Sequence, residues 1–271
     1  MKTKVIKIGG SCLSSAEHLQ RIIPILQEEY NFVLVVSAFR NVTNLLERWF
    51  DTKELKHLEE LKALHKGIFS ALFPEKVFEL DFPAFQEVIM VHLSGYDRNH
   101  TLSLGEKLSS AIVEMYLRKK GIPIALHPSD PLIVGDSDSF DRDRSVQSIK
   151  DAYLKKEQQH LLTQGFASFN HEGGRSNLGR EGSDLTAVLW AHALGAECIL
   201  YKDVGALYHS DPRHDSEAQI ISQISFDKYK QDFYGAQIIY EKVVDFCLAH
   251  SIPLSIYSIE NNTLGTYISI N

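Results

Sequence analysis

The 271 residues predict an α/β fold built on parallel strands, and three observations carry that expectation. Phe32 to Val36 is wholly apolar, the mark of a strand buried on both faces of a parallel sheet. Twice a short strand hands over to a glycine turn and then to a helix. The first case is Lys4–Ile8 into Gly9-Gly10-Ser11, and the second runs from Gln164 through a polar turn to Asp184 and the apolar run Leu185–Leu194. Strand and helix signals then alternate to the C-terminus, with no repeat, low-complexity tract or flexible linker. The length suffices for one large domain or for two lobes sharing a core.

Composition narrows the function. A formal net charge of -7, with no Lys/Arg block to offset it, argues against a nucleic-acid partner, so anions must be caught by local sites. Cys12, Cys198 and Cys247 stand far apart without CxxC spacing, which predicts neither a disulfide scaffold nor a zinc site and fits a reduced, cytoplasmic setting. The opening MKTKVIKIGG reaches glycine too soon to hold a signal-peptide core, and no apolar run approaches the ~20 residues of a membrane span. His57 and His65 lack a partner spacing that suggests metal, and no metal-binding side chains are expected.

In chain order, Lys4–Ile8 is a strand and Ser15–Tyr30 an amphipathic helix. Phe32–Val36 ends at Ser37 in SAFRNVTNLL, and the hydroxyls of Ser37 and Thr43 stand where open α/β sheets bind ligands. Leu45 to about Val91 reads as helical, broken at Phe73-Pro74 and again around Asp81-Phe82-Pro83, with Lys53–Lys66 as a solvated face. Ser103-Leu104-Gly105-Glu106 opens a helix over Lys107–Lys119 that Gly121 ends. Glu106, in its first turn, either complements the helix dipole or faces a pocket and holds an ammonium group. Pro123–Leu126 is a strand, and Asp136–Arg144 a polar loop whose Arg142 and Arg144 are either solvated or on the rim of an anion cleft. Ile199–Tyr201 is a strand leading to Lys202-Asp203 and a loop, Val204–Arg213. Helices over Phe226–Gly235 and Gln237–His250 and strands over Leu254–Ile259 and Gly265–Ile270 complete the chain.

The stretch Gln164–Asp184 reads as a reaction site. Gly179 and Gly182 let backbone approach a phosphate, Arg180 and Asp184 add one charge of each sign, and Ser183-Asp184 cap the helix whose positive end faces the anion. Lys7, at the end of its strand, either places an ammonium on a phosphate being transferred or is an exposed lysine at a tight βα turn.

KIGGS, SAFRNVTNLL, SLGEKLS, TQGFAS, LGREGSD and KDVGALYHSDPR follow one another in an order that resembles the aspartokinase branch of the amino acid kinase family, from Lys4 to about Ile270. That resemblance implies a three-layer open, mainly parallel sheet with helices on both faces. It implies a single domain, 1–271, with an N-terminal lobe (1–163) for the amino acid and a C-terminal lobe (164–271) for the nucleotide. The implied reaction moves the γ-phosphate of ATP, with Mg2+, to the side-chain carboxylate of L-aspartate, giving an acyl phosphate and ADP in amino-acid biosynthesis. A homodimer is expected.

By the same resemblance Lys7 stabilises the transferred phosphoryl group and Asp184 holds the lysines in place. Gly9, Gly10 and Ser11 line the phosphates. Ser37, Thr43, Glu106, Arg180 and Ser183 hold the amino acid, and Lys202, Asp203, Tyr208 and Arg213 form the nucleotide loop. The family usually has threonine at Lys202, glycine at Ala206 and lysine at Gln219, and GAKVLHP where this chain has Gly235-Ala236-Gln237-Ile238-Ile239-Tyr240-Glu241. Lys202 would supply the charge missing at Gln219. The family's paired ACT regulatory domains are not expected. Arg40 and Asn41 replace small residues of the substrate loop, so a kinase for another small carboxylate, a carbamate or a phosphonate is the alternative enzyme. A non-catalytic amino-acid or nucleotide binder is the alternative of another class.

Overall fold

The structure, a computed structural model, describes residues 3–27, 30–82, 85, 95, 97–128, 132–136, 139–155, 159–212, 214–233 and 238–270. Eight of its strands form one sheet. They are β1 (Thr3–Ile8), β2 (Asn31–Val36), β3 (Ile124–His127), β6 (His160–Gln164), β9 (Glu197–Lys202), β12 (Gln223–Ser225), β13 (Leu254–Ser258) and β14 (Leu264–Ser269). Their order is β12-β14-β13-β9-β1-β2-β6-β3, and every neighbouring pair is parallel except β13 with β14.

Strand alternation splits the core into two layers. Ile6, Ile8, Leu34 and Val36 pack on one face, against α1 (Ala16–Leu26), α2 (Val42–Thr52), α3 (Leu55–Leu72), α4 (Phe78–Asp81) and α5 (Arg98–Lys119). Val5, Val33 and Val35 pack on the other, against α6 (Arg142–Leu154), α7 (Gly182–Leu194), α8 (Phe226–Phe233) and α9 (Glu241–His250). This is the expected three-layer sheet. Two small sheets flank it, β5-β4-β7-β8 from β4 (Val134–Gly135), β5 (Phe140–Asp141), β7 (Ala167–Phe169) and β8 (Arg175–Asn177), and β10-β11 from Leu207–Tyr208 and Ile220–Ile221.

Several boundaries differ from the sequence reading. The helix expected to begin near Ser103 begins at Arg98, because the Asp97 carboxylate accepts the His100 N–H at 2.8 Å and caps it there. Glu106 therefore lies in the helix interior, not in the first turn where the sequence reading placed it, and is beyond reach of the helix N-terminal dipole. Ser183 and Asp184 lie inside α7 and do not cap it; the N-cap is Glu181, in the left-handed region at φ 55°. Between β6 and α7 the chain builds the β7–β8 hairpin where a simple turn was expected. Asp136–Arg144 is not all loop, since Asp141 caps α6 through the Arg144 N–H at 3.0 Å. The first helix ends at Leu26, short of Tyr30. Val91 and the Gly235-Ala236-Gln237 part of the departing segment lie outside the described residues.

Candidate active site

Because β1, β2, β6 and β9 run parallel, their C-terminal ends share one edge. Chain order reverses there, with β2 on one side of β1 and β9 on the other, and such switch points open a crevice in doubly wound sheets. A cavity of about 640 Å³ occupies it, of the size that takes a small ligand. Its walls include Lys7, Gly9, Gly10 and Ser11 after β1, Ser37 and Thr43 after β2, Glu106 from α5, Arg180 and Ser183 before and within α7, and Lys202 and Asp203 at the end of β9. Eleven of the predicted site residues thus meet in one place. Tyr208, in β10, is not among the lining residues, and Arg213 lies outside the described residues. Arg142 and Arg144 do not line the cavity; Arg142 pairs with its neighbour Asp143.

The floor is a buried ion cluster. Lys7 is in phase with Val5, and Lys202 with Cys198 and Leu200, so both lysines project toward α7. There Asp184, fully buried in the first turn of that helix, receives both. Lys7 Nζ lies 2.5 Å from Oδ1, and Lys202 Nζ donates to Oδ2 at 2.6 Å. Burial works against the Asp184 carboxylate, but the ammonium groups of Lys202 and Lys7 outweigh it and draw its pKa down to about 2. Burial likewise opposes the Lys202 charge, and Asp184 and then Glu181, 3.7 Å away, reverse that and raise its pKa. Two ammonium groups thus share one fully buried carboxylate at the cavity floor, with Glu181 as a second carboxylate beside Lys202.

The opposite wall presents a different chemistry. Gly105 lets α5 approach the turn after β2, since a Cβ there would meet the Ala38 Cβ at 2.8 Å. That closeness lets Glu106 Oε1 accept the Ala38 N–H at 3.1 Å and Ser109 Oγ donate to the Ser37 carbonyl at 2.8 Å. The other oxygen of Glu106 has no partner among the described residues. Burial pushes this carboxyl up to about 8, against the smaller opposing pull of the Ala38 N–H and Lys7. A buried carboxyl with one unsatisfied oxygen at a cavity wall is a site for a cationic or hydrogen-donating ligand group.

Backbone strain gathers at the same cavity. Asn41 (φ 70°), Phe166 (φ 67°) and Glu181 (φ 55°) are non-glycine residues in the left-handed region, and all three line it. At Gly165 the fit is also tight, for a Cβ would lie 2.4 Å from Ser183 Oγ. Sequence reasoning missed Glu181 and Phe166. Both sit inside recognised motifs, but a positive φ at glutamate or phenylalanine leaves no compositional trace. Among the described residues no group of three metal-binding side chains occurs, and no helix is long and apolar enough to cross a membrane.

Comparison with known proteins agrees with this layout. The chain is 28% identical over 268 residues to an aspartokinase of Chlamydia pneumoniae, covering 95% of this chain and 60% of that protein. The chain thus spans about three fifths of that relative's length. It superposes on E. coli aspartokinase III in complex with aspartate and ADP with a TM-score of 0.88 at 23% identity, covering 99% of this chain and 64% of that one. Against UMP kinase from Ureaplasma parvum the TM-score is 0.56 at 16% identity, over 99% and 98% of the two chains. Both likenesses are of fold. The model of the amino acid kinase family matches residues 2–258, nearly the whole length, and the chain belongs to that family.

Proposed function

We propose that the chain transfers the γ-phosphoryl group of MgATP to the side-chain carboxylate of L-aspartate, giving 4-phospho-L-aspartate and ADP. One observation carries the reading. A floor of two lysines held on one buried aspartate, Lys7–Asp184–Lys202, and a buried, half-satisfied carboxyl, Glu106, face one cavity at the switch point of the sheet. Similarity to aspartokinases selects the acceptor.

In this reading Glu106 holds the acceptor's ammonium and Arg180 its α-carboxylate, which the guanidinium fork suits. Ser37, Thr43 and Ser183 give hydroxyls to the same group. The phosphates lie on Gly9, Gly10 and Ser11. The turn fits a phosphate because a Cβ at Gly10 would stand 2.8 Å from the Ala38 carbonyl, so bare backbone is needed for the approach. Mg2+ would be held by the phosphates together with the cleft carboxylate Asp203, and when bound it supplies neutralising charge. Tyr208 and Arg213 belong to the nucleotide side of the proposal. Residues 1–163 supply most acceptor contacts and 164–271 most nucleotide contacts, with Arg180 and Ser183 crossing to the first group and Gly9–Ser11 to the second. A homodimer and a cytoplasmic setting are parts of the same reading.

An acceptor carboxylate, ionised at neutral pH, needs no base. Its oxygen forms the new bond to phosphorus as the bond from phosphorus to the bridging oxygen of ADP breaks. Lys7 neutralises charge on the moving group, Asp184 keeps Lys7 and Lys202 together despite their repulsion, and the rest is positioning.

ADP release, followed with MgATP across a panel of carboxylate, carbamate and phosphonate acceptors, tests the proposal. Aspartate is expected to be the main acceptor, and Lys7→Ala to lower kcat by on the order of a hundredfold with a smaller change in KM. Robust turnover of another acceptor with none of aspartate would overturn the substrate. An unchanged kcat in Lys7→Ala would remove Lys7 from the chemistry.

A further inference from the structure

We propose that Arg40 is a substrate-contacting residue that grips the terminal phosphoryl group of a nucleoside triphosphate, so that the cleft distinguishes triphosphate from diphosphate. The inference rests on the phosphates lying at Gly9–Ser11, as proposed above, and adds a residue that this reading leaves unused.

The loop after β2 carries Arg40 at the second position of a tight turn, which the Val42 N–H closes on the Phe39 carbonyl at 3.0 Å. Asn41 follows at φ 70°, and its side-chain oxygen accepts from Asn44 Nδ2 at 3.3 Å, so the backbone beneath Arg40 is held from both sides. The turn abuts the glycine cradle. A Cβ at Gly10 would be 2.8 Å from the Ala38 carbonyl and 4.0 Å from the Arg40 nitrogen. Arg40 is therefore rooted beside the place proposed for the phosphates, and its exposed side chain lines the same cavity.

Charge accounting assigns the ligand. The charges of Lys7 and Lys202 are partly balanced by Asp184 and Glu181. Arg40 has neither an ion pair nor a side-chain hydrogen bond among the described residues. An unpaired guanidinium beside a phosphate cradle suits the oxygens of a phosphoryl group, which its planar fork engages two at a time. The terminal phosphoryl is favoured over the inner ones because Arg40 comes from the β2 side of the cleft. That side also carries Ser37 and Thr43, the hydroxyls proposed for the acceptor, and the transferred group must lie between nucleotide and acceptor.

Calorimetric titration of MgATP and MgADP into the wild type, Arg40→Ala and Arg40→Lys tests this without requiring turnover. Arg40→Ala is expected to weaken MgATP by roughly tenfold or more while leaving MgADP unchanged, the effect of losing a charge-assisted contact. Arg40→Lys, which keeps the charge and loses the fork, should recover part of that loss. If the wild type binds both nucleotides and the ATP-to-ADP ratio is unaltered in Arg40→Ala, the assignment of Arg40 is overturned and the cleft reading stands. Weakened aspartate with unaltered ATP in Arg40→Ala would move the guanidinium to the acceptor and also overturn it. A wild type that binds neither nucleotide would sink the nucleotide reading and this inference together.

Discussion

Glu106 shows most directly how burial turns an ordinary residue into a functional one. Its carboxyl has an ordinary pKa of 4.5 and is pushed by burial to about 8 in the folded chain. The folded state therefore binds this proton more tightly than the unfolded state does. Ionising the group costs stability that is lost as pH rises between those two values. Glu106→Gln keeps the shape and removes the titration, so the ligand-free wild type should lose stability relative to the variant as pH rises from 4.5 to about 8. Melting curves across that range check the sign, and a constant difference would contradict it. A proton should also leave Glu106 when an ammonium group binds there. Asp184 works in the opposite direction, because its two lysines favour the charge that burial alone would oppose.

At the scale of elements, close approaches between neighbours place these side chains. Gly165, just past β6, lies so near α7 that a Cβ would meet Ser183 Oγ at 2.4 Å, whereas Gly67, exposed within α3, has nothing within 4 Å. Gly165→Ala should therefore cost about 1–3 kcal/mol by overpacking and reduce turnover by displacing Ser183. Gly67→Ala should stabilise the protein by about 0.5–1 kcal/mol through helix propensity and leave turnover unchanged. Denaturant unfolding with a parallel rate assay separates the two, and equal effects would contradict the packing account. Much of this layout was legible in the sequence, where apolar runs gave the strands and glycines the turns, but the convergence of Lys7 and Lys202 on Asp184 appears only in the fold. What was not legible depends on contacts distant in sequence or on cues with no periodicity. Arg98–Leu102 is too polar to announce a helix. The strands of the β7–β8 hairpin are three residues each, one of them Arg-Ser-Asn. The left-handed backbone at Phe166 and Glu181 is imposed by surroundings that glycine rules do not describe.

Over the whole molecule, one sheet explains why short motifs scattered from residue 7 to residue 203 meet. Parallel strands put every following loop on one edge, and the reversal of strand order at β1 leaves a gap there that helices α5 and α7 wall from opposite faces of the sheet. No single segment makes the site. The central claim is that this gap joins a carboxylate oxygen to phosphorus, and isotope transfer tests it most directly. Aspartate labelled with 18O in its side-chain carboxylate is incubated with MgATP and the protein in the presence of hydroxylamine, and the released phosphate and the aspartyl product are weighed by mass spectrometry. The account predicts 4-aspartyl hydroxamate together with phosphate carrying one 18O atom from the acceptor, because hydroxylamine attacks the acyl carbon and leaves the transferred oxygen on phosphorus. ADP formed with unlabelled phosphate and no hydroxamate would contradict it.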